Sequence, residues 1–398
     1  MYDVVIAGAG PAGSVAASVL ARAGARVALI DRARFPRHKL CGDTVNPGVL
    51  AILRRLKLAS MTEACGLPIE GMMLTGQDGS TVEGRYPDGL VARAVKRSDF
   101  DWALVRDAVA AGADFMDDTT VLEPIVESAD HQPSVAGLWV RLHGARCAVR
   151  GAVTIGADGR RSRIAFGLGL SRHPPRPRRW AVGVYAERVD GISHCGEMHI
   201  RRGCYIGVAP LPNGLVNVCL VRPSFAGDTD LGDPLGAVKT ALSSDRVLRD
   251  RFSRARFITT PSVMGPLAVD ATEAAQPDGL LLAGDAAGFV DPMTGDGLRF
   301  AVRGGELAAE AALRALADGW AGLHDRVALL RRQEFESKYR FNRMLRRVVG
   351  SPAAVRVATL GASLLQPVLR SLIYRAGDCD LALPRSGNGE PARAEHTP

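Results

Sequence analysis

Tyr2-Asp3-Val4-Val5-Ile6-Ala7-Gly8-Ala9-Gly10-Pro11-Ala12-Gly13, closed by Arg26-Val27-Ala28-Leu29-Ile30-Asp31, is the stretch that decides the fold. Val4, Val5 and Ile6 form a short apolar run, the mark of a strand buried on both faces. A glycine-rich turn follows, and then small residues (Ala12, Ala16, Ala17, Ala21) suited to a helix packed tightly on a sheet. The second apolar run ends on an acid, Asp31, 18 residues after Gly13. Gly8 allows the tight turn, Gly10 lets the backbone approach a pyrophosphate, and Gly13 lets helix and strand close together. The unpaired amides at the helix start face phosphates, and Asp31 is placed to accept from ribose hydroxyls. The spacing therefore predicts a dinucleotide site.

The chain has 398 residues, enough for a large core and two domains, and its 47% hydrophobic and 23% charged residues are those of a soluble globular protein. The net charge of +8 is unevenly placed: ten Lys or Arg against two Glu lie between Arg331 and Arg375, which alone accounts for it. A basic helical end suits an anionic membrane, an acidic carrier protein or simply a solvated face. With the remainder neutral, no nucleic-acid partner is expected. The seven cysteines (41, 65, 147, 195, 204, 219, 379) are scattered without metal-ligand spacing, so they read as reduced thiols in a cytoplasmic protein with no metal. The strand at Tyr2 leaves no room for a leader peptide. No apolar run approaches the roughly 18 residues of a membrane span.

Further along, Asn46-Pro47 reads as a cap and first-turn proline opening a helix through Leu56. Arg97-Ser98-Asp99-Phe100-Asp101 leads a helix through Ala111. Short alternating runs from Ile69 to Val95 and strand after strand from Trp180 to Val221 predict an antiparallel sheet. His143-Gly144 reads as a hairpin turn. Leu235 to Phe252 is read as a helix, Arg256 to Val263 as a strand, and 297–318, 323–350 and 352–374 as helices. The fold class is α/β, a discontinuous Rossmann-type nucleotide domain (1–68, 97–178, 255–320) with an inserted, mostly antiparallel substrate sheet (69–96, 179–254). C-terminal helices (321–375) and a disordered tail (376–398) complete the expectation.

Two more strand ends carry chemistry. Ala152-Val153-Thr154-Ile155-Gly156-Ala157-Asp158-Gly159 puts a carboxylate at a switch point of the sheet, or, equally simply, an Asp cap on a helix. Leu280-Leu281-Leu282-Ala283-Gly284-Asp285 is a third buried strand ending on Gly-Asp. It runs through Pro292-Met293-Thr294-Gly295-Asp296-Gly297-Leu298 into a helix whose first amides are free for a ligand.

Three such motifs in one order resemble the FAD-dependent family that unites para-hydroxybenzoate-type aromatic hydroxylases, flavin-dependent halogenases and geranylgeranyl reductases. The resemblance covers about residues 1–320. Phe35-Pro36-Arg37-His38-Lys39-Leu40-Cys41-Gly42-Asp43 and Gly284–Gly297 look most like the geranylgeranyl reductase branch. This resemblance implies a glutathione-reductase-like fold with Gly8, Gly10, Ala12 and Gly13 along the FAD pyrophosphate and Asp31 with Arg32 at the adenosine ribose. It puts Arg97 against the FAD, Val121 by the adenine, and Cys41, Gly42 and Asp43 near the flavin ring. Asp158, Gly284 and Asp285 fall on the cofactor's middle, and Pro292, Gly295, Gly297 and Leu298 near the isoalloxazine. Tyr205 and Met293 are implied on the substrate side.

Reductases of this branch carry a Tyr-x-Trp-x-Phe-Pro stretch. Here Tyr205-Ile206-Gly207-Val208-Ala209-Pro210 keeps Tyr and Pro but has Gly207 and Ala209 in place of two rings, which implies a wider pocket. The halogenase Trp-x-Trp-x-Ile-Pro stretch is absent. Cys41 is the candidate proton donor, with Asp43 and Asp296 as alternatives. Arg160, Arg161, Arg163 and the 176–179 cluster are candidates for a phosphate or for solvent. The expectation is an FAD enzyme, with NAD(P)H as a transient donor, that reduces a carbon–carbon double bond of a large apolar substrate (isoprenoid, quinone or polyketide-like, lipid-like or carrier-bound). The alternative is a monooxygenase acting on such a substrate. The basic helices from 335 to 374, with Leu360, Leu364, Val368 and Leu372 at helical spacing, suit peripheral membrane contact or docking on the protein's own core.

Overall fold

The computed structural model describes all residues except 130–131, 175–178, 224–231, 268, 273, 290–294, 350–365 and 384–398. The Tyr2–Ala7 strand lies between Val27–Ile30 and the end of Ala145–Gly156, parallel to both. Asp114–Met116 and Leu280–Leu282 extend this parallel sheet on its two sides. The first half of Ala145–Gly156 instead pairs antiparallel with Gln132–Leu142, which pairs with Thr120–Ala129. The switch follows the sequence: the alternating first half has one wet face, whereas Val153 to Gly156 is buried on both. The hairpin at His143-Gly144 has positive φ at both residues (49° and 85°), as a two-residue turn requires.

Helices cover this sheet. Pro11–Arg22 and Gly297–Asp318 pack side by side on one face, with Arg97–Ala110 beside the first. Their small residues set the spacing. A Cβ on Gly305 would stand 2.2 Å from the carbonyl oxygen of Ala12, so the two backbones touch there. The aliphatic core beneath contains Ile6, Leu20, Leu29 and Ile155, all fully buried.

The second sheet has eight strands, in the order Arg256–Phe257, Arg179–Glu187, Val216–Pro223, Cys204–Pro210, Cys195–Arg201, Gly71–Thr75, Thr81–Arg85, with Ser262–Met264 also on Arg179–Glu187. All pairs are antiparallel except Cys195–His199 with Gly71–Thr75. Residues 256–264, expected in the nucleotide-binding part, thus add two short strands to this sheet, split around Pro261, which has no amide to continue a ladder.

Two other expectations are corrected. The helix read from Leu235 to Phe252 ends at Ser243, because Asp245 caps the Val247 and Leu248 amides and pairs with Arg201. Residues 376–383, read as disordered tail, are ordered: Gln366–Ala376 is followed by a short Cys379–Ala382 helix whose Asp378 and Cys379 are buried. Of the stripe on the 352–374 helix, Leu360 and Leu364 lie outside the described residues. Among the described residues no helix is long and apolar enough to cross a membrane.

Gly305→Ala should separate the Pro11–Arg22 and Gly297–Asp318 helices at Ala12. It is expected to lower the unfolding free energy by about 1–3 kcal/mol, as overpacking does, measured by urea denaturation.

Candidate active site

A cavity runs between the two sheets. Its wall includes Gly10, Pro11 and Ala12, Gly284 and Asp285, and Gly295, Gly297 and Leu298. The first and third motifs thus meet in one space. Gly8 has φ of 97°, and a Cβ there would stand 2.4 Å from the Ala157 carbonyl oxygen. A Cβ on Gly13 would strike the Gly8 carbonyl oxygen at 1.9 Å. Gly10 has nothing within reach but Arg37 Nη2 at 3.6 Å, so its backbone faces the cavity bare. A turn closed behind and open in front is the cradle a pyrophosphate needs.

Asp31 stands at this turn, accepting hydrogen bonds from the amides of Ala9 and Ala33, both at 2.9 Å. Arg32 beside it is exposed. Arg97 lies on the cavity wall and is held by Asp101 through two bonds of 2.8 and 3.0 Å. Burial works against its charge, but Asp101 and Cys41 outweigh this and keep its pKa above the ordinary arginine value. Lys39, missed in the sequence because it sits in a basic loop, is half-buried on the same wall. Desolvation lowers its pKa and Asp285 opposes the shift. Burial raises the pKa of Asp285, which Lys39 in turn opposes. An anion threading between them would find both Lys39 and Arg97.

Cys41 and Gly42 line the cavity. Asp43 does not. It is 1% exposed, with φ of 53°, and is drawn into the second sheet by three donors: Tyr185 Oη (2.7 Å), Asn217 Nδ2 (2.6 Å) and the Arg97 amide (3.1 Å). Desolvation outweighs these bonds and pushes its pKa up to about 6. Asn217 also donates to the Cys41 carbonyl at 2.7 Å, which fixes the loop carrying that thiol. Its trace in the sequence is a lone amide in an apolar strand, Val216-Asn217-Val218.

Asp158 is likewise turned away from the cavity wall. It accepts the Arg163 amide at 2.8 Å and so caps the next helix together with Ser162. Val121 is buried in the sheet away from the cavity wall, and Asp296 is fully buried behind its turn. Arg160 and Arg161 are spent on the Gly265 carbonyl at 2.9 and 2.7 Å. Pro292, Met293 and the 176–178 arginines lie outside the described residues.

The substrate-side wall is the concave face of the eight-stranded sheet. Tyr205 lies on it, with Val221 opposite and Ala181 beyond. The next row is Met198, Gly207, Cys219 and Gly183 on four successive strands. Gly207 and Gly196 have room for a side chain: nothing lies within 3.9 Å of a Cβ on the first, and nothing within 4 Å of one on the second. Leu40 is seated directly on Gly183. It separates this chamber from a second, more polar cavity of about 890 Å³ lined by His38, Tyr185, Asn217, Thr259 and Ser262.

The model of an FAD binding domain matches residues 1–215. The chain belongs to that family. It is 31% identical to menaquinone reductase of Mycolicibacterium smegmatis, over 77% of this chain and 75% of that one. It is 30% identical to digeranylgeranylglycerophospholipid reductase of Methanosarcina mazei, over 80% and 76%. Conditioned medium factor receptor 1 of Dictyostelium discoideum is 29% identical over 79% of this chain, and the match spans 64% of that longer protein. Among solved structures, a flavin-dependent brominase superposes with a TM-score of 0.80 at 22% identity, covering 95% of this chain and 94% of that one. A geranylgeranyl bacteriochlorophyll reductase-like protein of Thermoplasma acidophilum gives 0.76 at 21%, covering 95% and 91%. At such identities the superpositions show the shared flavoprotein fold. The chain is an FAD-dependent oxidoreductase.

Asp43 binds its proton more tightly folded than unfolded. The stabilisation from proton uptake is present at low pH and lost as pH rises through about 6. Relative to Asp43→Asn, the wild type should gain about 2 kcal/mol of unfolding free energy between about pH 7.5 and 4.5, read by urea denaturation at each pH. The comparison cancels Asp378, which titrates in the same window.

Proposed function

We propose that the enzyme reduces a carbon–carbon double bond in a large apolar molecule carrying a prenyl-like chain, with NAD(P)H as the transient electron donor. The observation that carries this reading is the single chamber whose one wall is the dinucleotide cradle and whose other wall is an apolar sheet face left wide by Gly196 and Gly207. Two relatives named as reductases of a menaquinone and of a digeranylgeranyl lipid support the same choice.

In this reading Gly8, Gly10, Ala12 and Gly13 hold the pyrophosphate, and Asp31 meets the ribose of the adenosine. Arg97, Lys39 and Asp285 line the middle of the cofactor, while Gly295, Gly297 and Leu298 approach the ring. When bound and reduced by NAD(P)H, FAD would supply the electron pair as a hydride. The chain's own part is to exclude water, to lay the apolar chain along Tyr205, Val221 and Met198, and to deliver one proton. Cys41 is the proton carrier, because it lines the chamber on the same wall as Arg97.

Anaerobically reduced enzyme mixed with a polyprenyl menaquinone or a geranylgeranyl-bearing lipid should yield a product two mass units heavier without oxygen, a gain that persists after any quinol is re-oxidised in air. A product that forms only on admitting oxygen and carries an added oxygen atom would favour the monooxygenase reading and overturn this one. Cys41→Ala should lower the single-turnover rate by about a hundredfold with FAD affinity unchanged, measured by flavin fluorescence.

Gly207→Trp tests the chamber separately. A ring there would occupy the open floor, so prenylated quinones should lose turnover while a short-chain analogue retains it.

A further inference from the structure

Behind the Gly295–Gly297 turn, away from the chamber, lies a buried ionic cluster that the proposed reaction does not use. Asp296 accepts hydrogen bonds from Lys338 Nζ at 3.0 Å and from Asn342 Nδ2 at 2.8 Å. The same ammonium pairs with Asp378 at 3.0 Å and donates to the Arg375 carbonyl. Its three protons are therefore distributed over one acceptor on the turn and two on the C-terminal segment. Burial pushes the pKa of Asp378 up to about 6 and Lys338 works against this, so the cation is what lets the acid sit there charged.

The C-terminal segment in turn reaches the chamber. Ala376 is part of its wall, as are Asn46 and Tyr86. Asn46 Nδ2 donates to the Ala376 carbonyl and to Asp378, both at 3.2 Å. Gly377 packs on the Tyr86 ring. The seat is tight: a Cβ on Gly48 would stand 2.2 Å from Cβ of Asp378 and 2.6 Å from its carbonyl oxygen.

We infer that the Arg375–Leu383 strap is a wall of the cofactor site, and that Lys338 is the positioning residue holding strap and Gly295–Gly297 turn in one arrangement. The inference rests on the proposed reading only in taking that turn to face the flavin ring.

FAD titration by fluorescence, and amide exchange of residues 295–301 in the FAD-loaded protein, test it. Gly48→Ala displaces the strap without touching Lys338 or the turn. It should weaken FAD binding about tenfold and speed exchange at 295–301. Lys338→Met should do the same or more, and Lys338→Arg should restore most of the affinity. A chain ending at Leu383 should match the full chain, whereas one ending at Tyr374 should match Gly48→Ala. A role confined to stability would lower the melting temperature and leave the dissociation constant, measured well below it, where it was. Unchanged affinity and exchange in both Gly48→Ala and the chain ending at Tyr374 overturn the inference, whatever reaction the enzyme performs. Failure of the parent protein to bind FAD would instead refute the cofactor reading.

Discussion

Backbone pressed against backbone is the constraint on which the rest of this molecule depends. At Gly13 the first helix lies on the carbonyl of Gly8, and Gly8 in turn lies on Ala157 at the end of a strand more than a hundred residues away. At Gly305 the long Gly297–Asp318 helix lies on Ala12. No side chain separates these pieces, so the ends of two parallel strands, the start of one helix and the body of a second are fixed against one another. The orientation of their free amides follows from packing in which nothing has room to turn. A binding surface of this kind is preorganised, and the ligand does not have to order it.

The second sheet gives the molecule its other half. Its strands alternate, so one face is apolar and packs under the 234–252 segment, while the other looks into the chamber. Polar contacts cross between the halves at few places, and these are well satisfied. Asp43, Tyr185 and Asn217 knit the loop after the second strand to the sheet, and the pairs Arg37–Asp101 and Asp43–Arg97 amide knit the same loop to a helix. Breaking either leaves a buried charge without its partner, which costs far more than the pair contributes over an apolar substitute.

The strand–turn–helix pieces were legible in the sequence because their signals are local. Glycine spacing, apolar runs and the Asn46-Pro47 cap need no knowledge of distant residues, and the motif ends do meet at the cavity. Directions of carboxylates were harder to read. Asp158 looks like a ligand residue from its flanking glycines, but the Arg163 amide nearby claims it first. Asp43 looks as though it faces the ring, but Tyr185 and Asn217, some 140 and 170 positions on, draw it into the sheet. Residues 376–383 were the hardest to read: their composition is that of a loose tail, and only Asn46, Gly48 and Lys338, distant in sequence, give Asp378 and Cys379 a place to be buried. Lys39 shows the converse. A lysine in a basic loop reads as solvated, and only the fold brings Asp285 opposite it.

Leu40 seated on Gly183 has a consequence for how the chamber stays dry. The partition between the apolar space and its polar neighbour is one residue thick there, formed by a side chain that rests on a position with none of its own. A side chain at position 183 would displace the Leu40 methyl that rests there. The seam is one side chain thick, with the apolar chamber on one side and the more polar cavity on the other. Evolution of this scaffold toward a chemistry that needs a second inlet, for water or a small oxidant, would require a change at only one of these two positions.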